Sequence, residues 1–88
     1  MFERSVEILN ELGLHARPAQ LIVRTADQFR SKIFLSKDGV EVNGKSIMGV
    51  MMLAAAQGST LVIRAEGADE REAVAALVAL VESKFGED

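Results

Sequence analysis

The sequence has no cysteine, a single histidine and a single proline, and no apolar run of membrane-spanning length. Without cysteine there can be no disulfide, iron–sulfur cluster or zinc–thiolate staple, so a domain of this size depends on its apolar core alone. One imidazole cannot build a four-ligand structural zinc site either, and no metal or other cofactor is expected. A basic excess is also missing. Ten Lys+Arg stand against thirteen Asp+Glu, a formal net charge of −3, which is the wrong sign for coating phosphate backbones. Neither nucleic acid nor a membrane is an expected partner. The opening Met1-Phe2-Glu3-Arg4-Ser5 lacks the basic, apolar and small-residue order of an export signal, so a cytoplasmic location is expected. There is no internal repeat, no low-complexity stretch, and neither a phosphate-binding Gly-rich loop nor a kinase signature.

What the chain does contain suits one globular domain over residues 1–88, of which 49% are hydrophobic and 26% charged. Phe2, Val6 and Ile8 alternate with Glu3, Ser5 and Glu7, the period of a half-buried strand, with Arg4 as a mild break. The strand should stop before Asn10-Glu11-Leu12-Gly13, where Gly13 permits backbone angles other residues resist, and a loop follows, ending at His15. From Ala16 to Phe29, Ala19, Ile22, Val23, Ala26 and Phe29 recur at helical spacing, and Pro18 falls in the first turn, where its missing N–H costs nothing. Residues 32–36 and 40–42 read as strands joined by a hairpin turn at Asp38-Gly39.

Ser46 is placed to cap a short helix over residues 47–53, and residues 60–66 alternate as a fourth strand. Asp69, with Glu72 three residues on, predicts a capping box for a last helix. Its apolar stripe is Val74, Leu77, Val78, Val81 and Phe85, and Gly86 marks its end. The order β-α-β-β-α-β-α, with one apolar face per element, predicts an α+β fold in two layers with one sheet face wet.

The chemistry concentrates in Gly13-Leu14-His15-Ala16-Arg17-Pro18. At a helix start the first amides are unpaired and the macrodipole is positive, so an anion such as phosphate is favoured there. Arg17 adds a permanently charged, bidentate fork. A neutral imidazole is a competent nucleophile, and attack on phosphorus would leave an N-phosphoryl group held by the amides of Ala16 and Arg17 and by the Arg17 side chain. With no nucleotide cradle of its own, such a domain needs other proteins as donor and acceptor. On the residues alone a second reading stands beside this one: His15 as a solvated or capping residue without further role.

Two separated motifs, Gly-Leu-His-Ala-Arg-Pro-Ala at positions 13–19 and Asn-Gly-Lys-Ser-Ile-Met-Gly-Val-Met at positions 43–51, closely resemble the HPr family, the histidine-containing phosphocarriers of the bacterial phosphoenolpyruvate-dependent sugar phosphotransferase system. The resemblance extends over essentially the whole chain. It implies an open-faced β-sandwich, a four-stranded antiparallel sheet with three helices on one face. It implies a carrier, not an enzyme: His15 accepts a phosphoryl group on Nδ1 from phospho-enzyme I and passes it to an enzyme IIA, with Arg17 steadying the phosphate. It also gives Ser46 a second reading beside helix capping, phosphorylation by HPr kinase/phosphorylase, which would weaken enzyme I docking by charge.

Ile47, Met48, Met51 and Met52 cannot all face inward if Val50 and Leu53 form the buried stripe of the second helix. They are therefore assigned, with Ala16 and Gln20, to partner binding, against the alternative that the methionines fill the core. Gln20 lies off the apolar stripe of the first helix, where a merely solvated polar residue would also sit. Glu70, Arg71, Glu72, Glu82, Lys84, Glu87 and Asp88 read as a solvated face and tail without a function. Two other outputs fit the resemblance, a nitrogen-branch carrier and a regulatory module that binds a transcriptional regulator through the second helix. A monomer is expected, since a carrier must present one small face to larger partners.

Overall fold

Apolar residues at alternate positions oblige the extended segments to share one buried face: Val6, Ile33, Leu35, Leu61, Ile63 and Ala65 are all buried. The computed structural model describes residues 1–87; Asp88 lies outside them. Its strands are β1 (Phe2–Glu7), β2 (Lys32–Lys37), β3 (Val40–Asn43) and β4 (Thr60–Glu66), and its helices α1 (Ala16–Ala26), α2 (Ile47–Met52) and α3 (Glu70–Glu82). The strands form one antiparallel sheet in the order β1-β4-β2-β3. Val6 stands opposite Leu61 and Leu35 opposite Ile63, which puts the large aliphatics in register on the face the helices cover. This is the open-faced α+β sandwich expected.

Ile22, Val50, Val74, Leu77 and Val81, all buried, supply the helical side of the core, each contributing about 1.5–3 kcal/mol by leaving water. The other sheet face stays open and polar. There Arg64 lies 4.4 Å over the Phe34 ring and pairs with Glu41 at 2.8 Å and Glu66 at 2.6 Å. The β2–β3 connection is the two-residue hairpin expected. Asp38 and Gly39 take φ of 52° and 83°, the left-handed pair that matches strand twist.

Three local expectations are corrected. α1 stops at Ala26, not Phe29: Gln28 and Phe29 donate to the carbonyls of Thr25 and Ala26, the tighter pattern in which a helix unwinds. Phe29 still packs on the core from this turn.

Asp69 precedes α3 but its side chain makes no cap bond. Its carboxylate instead accepts from the Arg30 and Ser31 amides and the Ser31 hydroxyl, so three donors from the loop after α1 outcompete the helix end. Glu72 therefore has no capping box to complete, and Glu70, reaching back to the Gly67 amide, satisfies that donor instead.

Phe85 is buried as expected but not as part of α3, which ends at Glu82. Lys84, Phe85 and Gly86 form a separate turn with φ of 58°, 56° and 74°, so the helix stops before Gly86. That left-handed turn folds the chain end back over the molecule.

Candidate functional site

His15 is the residue immediately before α1, extended at φ −80° and ψ −171°, and its carbonyl accepts the Ala19 amide. Two approaches fix its loop. Gly13, at φ 67°, passes so close to Ala55 that a side chain there would collide with the Ala55 carbonyl, and the Leu14 amide donates to that same carbonyl at 2.9 Å. Leu14 is buried, so the backbone is pinned on both sides of the loop while the His15 ring, 37% exposed, remains accessible to a partner.

Ala16 and Arg17 follow at the surface. Their amides have no intrahelical carbonyl within reach, and no hydrogen bond among the described residues occupies them. Pro18, buried, starts the helix without needing a donor. Gln20 is exposed one turn on. The structure thus groups His15, Ala16, Arg17 and Gln20 on one exposed helix start.

The chain end also enters this site. Glu87 Oε2 lies 2.8 Å from His15 Nε2, and its other oxygen accepts from Asn10 Nδ2 at 3.0 Å. Asn10, fully buried, donates as well to the Gly13 carbonyl at 2.8 Å. The Asn10 hydrogen bond, followed by the His15 contact and the charge of Arg17, holds the Glu87 carboxyl below its ordinary value. Glu87 is therefore not the solvated tail residue the sequence suggested. No local pattern announces a contact across 72 residues, and the burial of Asn10 that anchors it is visible only in the fold.

α2 supplies the other assigned residues. Val50 and Leu53 are buried, and Ile47, Met48, Met51 and Met52 all face out, Met48 at 76% and Met52 at 75% exposed. The methionines are thus not core filler. Leu12, exposed at 71% in the loop before His15, adds apolar surface that strand and helix periodicity could not single out. Ser46 caps α2 as expected, its hydroxyl accepting from the Gly49 amide at 3.1 Å. Lys37 closes the far end of the helix through the carbonyls of Leu53 and Ala54. A cleft of about 350 Å³ lies elsewhere, lined by Arg30, Lys32, Phe34 and Lys45 among others. None of its lining comes from the His15 loop.

The family model for the PTS HPr component phosphorylation site matches residues 2–83. Phosphocarrier protein HPr of Neisseria meningitidis is 51% identical over 87 residues, covering 99% of this chain and 98% of its own. The crystal structure of HPr from Thermoanaerobacter tengcongensis superposes with a TM-score of 0.96 at 56% identity, covering 100% of this chain and 99% of that one. Crh of Bacillus subtilis, a catabolite repression protein seen as a domain-swapped dimer, superposes at 0.77 with 46% identity, covering 96% of this chain and 97% of that one.

Proposed function

The chain belongs to the HPr family, the phosphocarriers of the phosphotransferase system, and we propose that His15 is the residue on which it carries the phosphoryl group. His15 takes that group from phospho-enzyme I and gives it to an enzyme IIA in the cytoplasm, as one domain working in sugar uptake. The observation that carries this reading is the accessible imidazole at the start of α1, beside the amides of Ala16 and Arg17, which no hydrogen bond among the described residues occupies.

A phosphoryl group on His15 would meet the positive end of α1, already oriented before transfer begins, with the exposed Arg17 two residues on to supply a guanidinium to its oxygens. Donor and acceptor proteins would dock on Ala16, Gln20 and the outward face of α2. Flexible thioethers there suit a surface that has to fit several partners. The test is incubation with phosphoenolpyruvate, magnesium and enzyme I. Native protein gains an acid-labile phosphoryl group and His15→Ala does not; equal labelling of both would end the proposal.

Ser46 supports a regulatory reading. Its side chain is partly accessible, and the residues that follow it, Ile47 and Met48, are exposed. Phosphorylation by an HPr kinase/phosphorylase would add up to about two negative charges at the edge of the docking face. A transcriptional regulator could read the same face, and likeness to Crh, a protein named for catabolite repression, favours a regulatory output of this kind. The accessible histidine favours the carrier role, in the sugar or the nitrogen branch. The swapped Crh dimer leaves the expectation of a monomer to be tested by sedimentation.

A further inference from the structure

The cleft of about 350 Å³ is built where the chain leaves β3 and where it enters β2. Gly44 presses on Ile33: a Cβ there would sit 2.6 Å from Ile33 Cγ2, and the Gly44 amide donates to the Ile33 carbonyl at 2.7 Å. That close approach turns the chain so that Lys45 reaches back to the turn after α1, its Nζ donating to the Phe29 carbonyl at 2.8 Å. Asn43 stands opposite Phe34 in the ladder, and its Oδ1 accepts from the Lys45 amide at 2.8 Å. The Asn43 Nδ2 hydrogens and the remaining Lys45 Nζ hydrogens have no acceptor among the described residues.

Three cations line this one cleft. Arg30, Lys32 and Lys45 are all in its walls, no acidic residue is, and none of the three makes an ion pair among the described residues. The chain as a whole carries −3, so this concentration of one sign runs against its average and focuses a positive field in a concavity. The carboxylates that the fold brings toward these residues are engaged elsewhere. Glu66, opposite Lys32, pairs with Arg64 at 2.6 Å, and Asp69 accepts from the Arg30 and Ser31 amides. Phe34 adds an apolar wall, with Arg64 4.4 Å over its ring.

We propose that this cleft binds a small phosphomonoester, its phosphate held by Lys32, Lys45 and the Asn43 side-chain amide and its organic part laid against Phe34. A phosphate dianion offers the charge and the acceptor oxygens that several cations and a neutral donor can share, and Arg30 can add a bidentate fork. A lone carboxylate has a single charge to divide among them. Lys45 is already held by the Phe29 carbonyl, so binding costs it little rotamer freedom. The volume suits a small ligand, since such sites begin at about 300 Å³. None of the lining comes from the His15 loop, so binding here does not depend on whether His15 carries a phosphoryl group.

Phenyl phosphate is the probe, titrated into ¹⁵N-labelled native protein, Lys45→Met and Lys32→Gln, with backbone and side-chain amide shifts as the readout. Native protein should show saturable shifts centred on Ser31, Lys32, the Asn43 side chain and Lys45, with a Kd of about 1 mM, the range open to so small a ligand. Lys45→Met should weaken binding about 5- to 10-fold. Lys32→Gln, on an exposed side chain whose loss leaves the fold intact, should weaken it about 2- to 5-fold, because that charge is better screened. Inorganic phosphate, which lacks the ring, and benzoate, which lacks the second charge, should each bind at least about 3-fold more weakly than phenyl phosphate. Shifts confined to Ala16 and Arg17 would place the anion at the start of α1 and overturn the site, as would non-saturating shifts or native affinity in either variant. Equal binding of inorganic phosphate would show an adventitious ion only, and equal binding of benzoate would overturn the choice of a phosphomonoester.

Discussion

Gly13 and Ala55 pass so closely that the chain before His15 and the chain after α2 behave as one backbone junction. A Cβ on Gly13 would sit 3.0 Å from Ala56 Cα and closer still to the Ala55 carbonyl oxygen, and its φ of 67° already disfavours a side chain. The junction positions the His15 loop against the element that carries the exposed methionines.

Replacing Gly13 by alanine is therefore expected to cost about 2–5 kcal/mol, the sum of a left-handed backbone and an overpacked contact. Urea unfolding at constant m-value measures it. A loss below about 0.5 kcal/mol would mean the junction relaxes freely.

Ser46→Ala should lower stability by about 0.5–2 kcal/mol through the lost bond to the Gly49 amide. Ser46→Asp should stay near native stability, since aspartate also caps helices, yet slow phosphorylation by enzyme I. Thermal melts and enzyme I kinetics on both variants separate the capping role from the charge effect. Equal kinetics for Ser46→Asp and native protein would remove the case for a charge switch.

Met48 and Met52 are mostly exposed, so Met48→Ser and Met52→Ser should each change stability by less than about 0.5 kcal/mol. If the α2 face docks partners, the same changes raise KM for this protein in the enzyme I reaction. Native KM in the double variant would exclude that face from docking.

Asp69 makes stability sensitive to acid. Its hydrogen bond from the Ser31 hydroxyl, then that from the Arg30 amide, lowers its carboxyl from 3.8 to about 2. The unfolded chain binds this proton more tightly than the folded one, so the contribution is fully present above pH 3.8 and is lost as pH falls toward 2. Asp69→Asn should melt at a lower temperature near neutral pH and show a flatter decline across that acid window. Parallel profiles for the two proteins would refute the link.

Phe85 anchors the chain end, and Phe85→Ala should cost about 3–5 kcal/mol if the turn is as well packed as the core. Chemical shifts of the His15 ring should move with it, because Glu87 loses its support. An unmoved ring in a destabilised variant would show that Glu87 reaches the site without that anchor.

Much of this molecule was legible in order along the chain because the deciding forces are local. Alternation named the buried faces of β1, β2 and β4, Asp38-Gly39 named the hairpin, and the spacing around Val50 and Leu53 turned the methionines outward. Pro18 and Gly13 framed the start of α1, and the two motifs around His15 and Ser46 carried the family. Asp69 was misread because capping is a competition, and the donors that won it, at Arg30 and Ser31, are distant in sequence.

Residue types and their spacing were enough to set the elements and the face each one buries, since these follow from backbone geometry and from water's exclusion of apolar side chains, and to single out His15 as the candidate for the chemistry. Only the folded arrangement decided that β4 lies between β1 and β2, that Gly13 meets Ala55 and that Glu87 faces His15. Such contacts depend on where the packed core brings distant backbone together, and a carboxylate near the end of a chain looks the same in sequence whether it meets solvent or an imidazole.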